Sequence, residues 1–191
     1  RWLDGVLHFS GNAKQARVRV DAGQAIDGPN FDIAVEIAPA KDWKGGCLIA
    51  SQPKGATLGG FRLCYEPATQ VLGVELSNGS TNHEYAASLE KPLDAEAWTS
   101  VRVRAHSDVL ELFVAKKSVK RFTIAGLQLH KGPYPLVIGA GVHDSELGFR
   151  GRMRNVSLRS ANSRRDFRRT TPFGFTARGR WPVNEGDGIV V

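Results

Sequence analysis

Apolar and polar residues alternate along most of the chain. Phe31, Ile33, Val35 and Ile37 are each separated by one small or acidic residue. The same alternation recurs at residues 16–21, 101–104 and 110–114. A period of two is typical of β-strands with one buried face. No segment has a convincing apolar period of 3.6, so the sequence predicts an all-β protein with at most a short helical turn near residues 93–97.

Turn residues separate these apolar runs. Asn78-Gly79 predicts a tight two-residue turn between strands at 71–76 and 81–87. Ser107-Asp108 predicts a second hairpin, between strands at 101–106 and 109–114. Roughly a dozen short strands at this spacing indicate a sandwich or barrel. The sequence therefore predicts a single all-β domain, either a sandwich or a barrel, over residues 1–160.

The last part of the chain differs in composition. Residues 161–191 are rich in arginine and carry aromatic residues among turn residues: Phe167, Phe173, Phe175 and Trp181. Disordered tails are poor in aromatic residues. We expect this basic extension to pack on the sandwich or to link it to a partner.

The chain has two cysteines, Cys47 and Cys64. A loop centred near residues 54–56 would place them roughly opposite each other on paired antiparallel strands. Facing positions bring Cβ atoms close enough for a disulfide. The alternative is two buried free thiols, because cysteine is commonly buried without bonding.

Three segments, in this order, resemble the laminin G-like domains of the concanavalin A-like lectin and glucanase superfamily. They are residues 5–12 with Leu7, Phe9 and Gly11, residues 97–114 with Trp98, Val101 and Val103, and residues 135–158 with Gly139, Phe149 and Gly151. Each motif is loose, and their shared order makes the match specific. The resemblance implies a two-sheet jelly-roll sandwich.

The resemblance also implies a non-catalytic module that binds carbohydrate or a protein surface. Such a module would be part of a larger secreted or cell-surface protein, with an extracellular, periplasmic or cell-surface location. The chain begins at Arg1 without an initiator methionine, which we interpret as a piece of a longer chain. Two alternatives stay open: a glycoside hydrolase or lyase on the same fold, and a structural subunit that docks through its basic extension.

The net charge of +7 favours an acidic partner such as a sulfated or uronic polysaccharide, although it also serves solubility. Pairs of arginines project from predicted strands: Arg17 with Arg19, Arg102 with Arg104, and Arg152 with Arg154. If these strands are neighbours, the pairs form an arginine stripe, and guanidinium groups bind sulfate and carboxylate bidentately. The alternative is a solvated charged sheet face.

Aromatic side chains are candidates for stacking on sugar rings. We expect this of Trp43, which lies in a predicted loop, and of Tyr85. Trp98 opens a predicted strand and is expected to bury its ring between the sheets.

Catalytic and metal motifs are weak in this sequence. No run of closely spaced carboxylates, zinc-ligand spacing, nucleotide-binding loop or apolar run of membrane-spanning length is present. Nucleic acid is not the expected partner, and no cofactor is predicted. Arg154 replaces an acid that often binds structural calcium in the resembled family. Weak candidates for a calcium site at the rim are Asp27, Asn30, Asp32, Asp144 and Glu146.

Overall fold

The computed structural model describes residues 2–3, 6–11, 17–20, 28–143 and 147–161, which form thirteen strands and no helix. In chain order the strands are β1 (Trp2–Leu3), β2 (Val6–Ser10), β3 (Val18–Val20), β4 (Asn30–Pro39), β5 (Gly46–Ala50), β6 (Gly60–Glu66), β7 (Val71–Ser77), β8 (Asn82–Ser88), β9 (Thr99–His106), β10 (Val109–Val114), β11 (Lys117–Thr123), β12 (Leu136–Ile138) and β13 (Arg150–Ala161). The predicted all-β fold is confirmed. Residues 93–97 form an irregular turn instead of a helical one, because Glu96 has a positive φ of 64° that a right-handed helix excludes.

The strands form two antiparallel sheets. The seven-stranded sheet has the order β1-β2-β13-β4-β9-β10-β11, and the six-stranded sheet has the order β3-β12-β5-β6-β7-β8. Strand neighbours such as β13 and β4 are far apart in sequence, which is typical of a jelly roll. The predicted two-sheet sandwich is therefore confirmed.

The core lies between the sheets and is built from the apolar positions of the alternating pattern. On β4, Ile33 and Ile37 are fully buried, as are Phe61 and Leu72 of the opposite sheet. Burying an aliphatic or aromatic side chain of this size contributes about 1.5–3 kcal/mol. The same alternation leaves the even-numbered residues of β4 on the outer face of the seven-stranded sheet.

Both predicted hairpins are present. Ser107 and Asp108 join β9 to β10 as a two-residue turn. The connection between β7 and β8 has four residues instead of two, because Asn78 accepts hydrogen bonds from the backbone N–H groups of Ser80 and Thr81 at 3.0 and 2.8 Å. The polar Asn78 side chain thus widens the turn that Asn-Gly alone would make.

The cysteines lie on the outer face of the six-stranded sheet. Cys47 of β5 faces Cys64 of β6 in the strand register, and the two are joined by a disulfide. Of the two alternatives left open by the sequence, the structure therefore has the bonded one.

The last strand, β13, ends at Ala161. The remainder of the basic extension, residues 162–191, lies outside the described residues. The expectation that it packs on the sandwich stays a prediction.

Candidate functional site

The outer face of the seven-stranded sheet carries many of the charged side chains of the described chain. Strands β13, β4 and β9 lie side by side, and their register places Asp32 of β4 between Arg159 of β13 and Arg104 of β9. We call this surface the arginine face and define it by the outward residues Asp32, Ala34, Glu36, Ser100, Arg102, Arg104, Phe113, Arg152, Arg154, Ser157 and Arg159. The alternating sequence produces it, because the residues between them point into the core.

A depression of about 350 Å³ lies in the arginine face. Its small lining residues, Ala34, Ser100 and Ser157, come from three adjacent strands. Longer side chains surround them, and they are Arg102, Arg104, Phe113, Lys116 and Arg159. The volume lies within the range of small-molecule binding sites. Small residues beneath long cationic ones leave room for a ligand that meets positive charge at its rim.

The first set of charged side chains in the depression is centred on the carboxylate of Asp32. Arg102 donates from Nε to Asp32 Oδ1 at 2.7 Å and forms a second contact from Nη2 to Oδ2. Arg104 Nη2 is 3.7 Å from the same Oδ2 atom. The hydrogen bond to Asp32 raises the pKa of Arg102, against an opposing effect of burial. Two guanidinium groups thus share one carboxylate, and the group keeps an excess positive charge.

Arg104 makes the longer contact with Asp32 of these two arginines. Within the described part of the chain its Nε is buried and has no hydrogen-bond partner. Its side chain is still 37% exposed. A guanidinium that is held in place by its surroundings and still partly exposed can bind an anionic oxygen at little reorganisation cost.

A second charged group lies next to the depression. Arg154 donates from Nε to Glu36 Oε2 at 2.7 Å, and its guanidinium carbon lies 4.2 Å from the centre of the Trp98 ring. The guanidinium of Arg152 lies 5.4 Å from the same ring. Trp98 is therefore not buried between the sheets as expected. It points outward, because it shares the parity of Ser100 and Arg102 on β9.

A β-bulge brings Arg159 onto the arginine face. The register of β13 against β4 shifts between Arg154 and Ser157, where Asn155 has a positive φ of 51°. The bulge exchanges the parity of the strand, so that Arg152 and Arg154 point outward before it and Ser157 and Arg159 after it. The sequence signal for this bulge is Leu158, an apolar residue at a position that strict alternation would expose. Reasoning from the sequence missed both Arg159 and Lys116.

Arg17 and Arg19 do not join this face. Arg19 lies on β3, which pairs with β12 in the six-stranded sheet, and Arg17 directly precedes that strand. The predicted stripe therefore forms from the arginines of β9 and β13 alone. Its two strands are separated by β4, whose small Ala34 lets them approach the same depression.

The structure does not support the stacking role predicted for Trp43. The residue is 6% exposed, its ring packs against Phe149 with centroids 4.9 Å apart, and its Nε1 donates to the Gly148 carbonyl at 3.3 Å. It follows a turn, as predicted, but the ring turns into the core and offers no face to a sugar.

Tyr85 lies away from the arginine face. Its ring is half-buried against Phe122 of β11, with centroids 5.2 Å apart, and it lines a cavity of about 350 Å³ together with His83 and Thr81. Burial raises the pKa of its hydroxyl group. The structure thus places the two predicted aromatic residues in two separate locations.

The predicted rim positions for calcium are only partly described. Asn30 accepts a hydrogen bond from the Ser107 backbone at 2.9 Å, and Asp32 is held by arginines. Asp27, Asp144 and Glu146 lie outside the described residues. Among the residues that are described, no cluster of three or more metal-ligating side chains occurs. The described residues also contain no helix long and apolar enough to cross a membrane.

No family model and no curated protein matches this sequence. Solved structures do match. Domains LG4-5 of the mouse laminin alpha1 chain superpose with a TM-score of 0.62 at 17% identity, over 82% of this chain and 41% of the laminin chain. The CBM40 module of the Ruminococcus gnavus IT-sialidase, bound to alpha2,3 sialyllactose, superposes with a TM-score of 0.57 at 14% identity, over 79% of this chain and 89% of that one.

An enzyme is also among the similar structures. The leech intramolecular trans-sialidase has a TM-score of 0.58 at 13% identity, and the match covers 81% of this chain and 25% of the enzyme. The chain thus spans about two fifths of the laminin fragment and a quarter of the trans-sialidase. At such identities the likeness concerns the fold, and it agrees with the sequence motifs: the chain has the concanavalin A-like jelly-roll fold of laminin G-like domains.

Proposed function

We propose that this chain is a non-catalytic recognition module and that its arginine face binds an acidic carbohydrate. The observation that carries the proposal is the depression of about 350 Å³, in which small residues are surrounded by Arg102, Arg104, Arg159 and Lys116. The cationic side chains outnumber the lining acids, Asp32 and Glu36. An anionic ligand would therefore be favoured over a neutral one of the same shape.

The chemistry of binding follows from the pairing around Asp32. The carboxylate fixes Arg102 in place, and the side chain of Arg104 is 37% exposed, so its guanidinium can meet a second anion. A carboxylate or sulfate group of the ligand would bind Arg104, while the sugar ring would lie over Ala34, Ser100 and Ser157. A bidentate contact between guanidinium and an oxyanion supplies both affinity and orientation.

The similar structures support a role in recognition. A module bound to sialyllactose and a pair of laminin domains share this fold with the chain. A location outside the cell, as part of a larger protein, is the setting we propose for such a module.

The charge pairs also support a non-catalytic role. A glycosidase places two carboxylates about 5–10 Å apart across the scissile bond. Asp32 and Glu36 are separated along β4 by about 13 Å between Cα atoms, at about 3.3 Å per residue. Each is held by an arginine, Asp32 by Arg102 and Glu36 by Arg154. Carboxylates that are engaged by arginines in this way are not placed to meet a scissile bond.

A glycoside hydrolase or lyase is the second candidate, because the leech trans-sialidase shares the fold. We expect no release of reducing ends when the protein is incubated with uronic or sulfated polysaccharides. Release that is lost in Asp32→Asn or Glu36→Gln would establish the enzymatic alternative.

The proposal is tested by binding to an array of acidic and neutral glycans at two salt concentrations, with calcium and with a chelator. We expect binding to carboxylated or sulfated glycans that weakens as salt rises. Arg104→Ala should weaken it about tenfold or more, since a charge-assisted hydrogen bond contributes about 1.5–3 kcal/mol.

The matched control is Arg19→Ala. It removes the same charge from an exposed residue of the other sheet, and we expect it to leave binding within about twofold. Equal losses in both variants would reduce the effect to net charge and overturn the arginine face as the site. Absence of glycan binding would instead favour a protein partner.

A further inference from the structure

The disulfide lies in an open cavity on the outer face of the six-stranded sheet. Cys47 is 2% exposed, while Cys64 is half-buried, and both line a cavity of about 450 Å³. Cys64 is therefore the more accessible residue of the two. Backbone hydrogen bonds already join β5 to β6, so the fold does not depend on the disulfide to bring these strands together.

A buried guanidinium contacts the less accessible sulfur. Arg62 is 6% exposed, and its Nη2 lies 3.1 Å from Cys47 Sγ. Its Nη1 donates to Glu75 Oε1 at 2.9 Å, which fixes the orientation of the side chain. A neutral disulfide sulfur is a weak acceptor, whereas a thiolate in the same place would form a charge-assisted hydrogen bond. Arg62 is thus positioned to stabilise negative charge on Cys47.

The opposite side of Cys64 is open. The sheet order places β7 on the side of β6 away from β5, and the residue of β7 facing Cys64 is Gly73. A Cβ atom added at Gly73 would meet no atom within 4 Å. Ala86, the residue of β8 facing Gly73, is small and exposed. A thiolate attacks a disulfide along the line of its two sulfurs, and these small residues leave that approach to Cys64 unobstructed.

We propose that Cys47–Cys64 is a thiol–disulfide exchange site whose substrate is an external thiol. The incoming thiolate attacks Cys64 Sγ over Gly73, and a new disulfide forms between that sulfur and the external one. The bond between Cys64 and Cys47 breaks, and its electron pair leaves on Cys47 Sγ as a thiolate held by Arg62. No separate oxidant or reductant is needed for this step.

Reduced glutathione is the probe for the first test. The protein is mixed with glutathione, quenched with iodoacetamide and mapped by mass spectrometry. We expect glutathione on Cys64 and the alkyl group on Cys47. Glutathione found first on Cys47, or no adduct under conditions that open an exposed disulfide, would overturn the proposal.

The second test closes the approach without touching the disulfide. Gly73→Val should slow adduct formation about tenfold or more, and Gly73→Ala should have an intermediate effect, because access governs the rate of exchange. Neither substitution is expected to strain the backbone, since Gly73 does not have a positive φ. Ala86→Val adds bulk one strand further away and should change the rate less than about twofold. Equal rates in Gly73→Val and the unchanged protein would refute the proposed path.

The third test removes the cation behind the leaving sulfur. Arg62→Gln is combined with Glu75→Gln so that no buried charge is left without its partner. The double variant should react about tenfold more slowly, because a less stabilised thiolate leaves more slowly. The control is Arg121→Gln combined with Glu111→Gln, which removes an ion pair of the seven-stranded sheet in the same way and should leave the rate near that of the unchanged protein. If the double variant reacts as fast as this control, Arg62 has no part in the exchange.

Discussion

The outer faces of the two sheets handle charge in different ways. On the six-stranded sheet, Arg62 and Glu75 form an ion pair whose side chains are only 7% and 14% exposed. On the seven-stranded sheet, Arg102 and Arg104 share Asp32, and both arginines remain more than a third exposed. The first pair is buried, whereas the second group is partly exposed and has an excess of positive charge that a ligand could meet.

The two outer faces also differ in how their apolar and small residues are arranged. On the outer surface of the six-stranded sheet, Ala140 and Val142 form a small apolar cluster with Cys47, Ala50 and Val137 of its strands. The depression of the arginine face, in contrast, is lined by small residues that leave space above the sheet. Each face therefore has a cavity, but the cavity of the six-stranded sheet is lined by the disulfide and by the Arg62–Glu75 pair, whereas the depression of the arginine face carries excess positive charge. We infer that the arginine face is the recognition surface.

The largest expected loss of stability comes from breaking the buried pair of Arg62 and Glu75. Glu75→Ala leaves Arg62 buried without its carboxylate, and loss of one partner from a buried ion pair costs about 3–5 kcal/mol. Asp32→Asn on the arginine face should cost only about 1 kcal/mol, because both arginines can turn to water. Urea denaturation measures both values. Similar losses for the two variants would remove the contrast between the faces.

A smaller loss of stability is expected when Trp98, which lies against the arginines next to the depression, is replaced. Trp98 supports two guanidinium groups, Arg152 and Arg154, whereas Phe113 lies 5.9 Å from that of Arg102 alone. Cation–π contacts at partly exposed sites contribute about 0.5–1 kcal/mol each. Trp98→Ala should therefore destabilise the fold by about 1–2 kcal/mol, and more than Phe113→Ala, in the same urea experiment. The reverse order would show that the cations do not contribute to the stability of this face.

Strand faces could be predicted from the sequence, but strand neighbours could not. Alternation along residues 101–104 correctly places Arg102 and Arg104 outside, and it would also have placed Trp98 outside if it had been extended back to that residue. No local feature of the sequence, however, indicates that Arg19 lies in the other sheet or that β4 separates β9 from β13. Pairing between distant strands is decided by the global packing of the two sheets.

Loop residues and bulges set a second limit to prediction from sequence. Trp43 occupies a loop, where exposure is the usual expectation, yet the core has space for its ring beside Phe149. The bulge after Arg154 reverses the parity of β13 and adds Arg159 to the depression. Only the apolar Leu158 signals this shift, and one residue rarely suffices to place a bulge.

The smallest expected effect concerns Tyr85, which lies on β8 at the edge of the sandwich and belongs to neither face. Burial raises the pKa of its hydroxyl, so the folded state holds the proton more tightly than the unfolded chain. The resulting stability is present below about pH 10 and is lost as pH rises through the pKa of the folded tyrosine. Urea midpoints measured from pH 8 to pH 11 should therefore fall less steeply in Tyr85→Phe. Between pH 6 and pH 8 the difference between the two proteins should stay constant, and parallel curves up to pH 11 would show that Tyr85 titrates as an exposed residue.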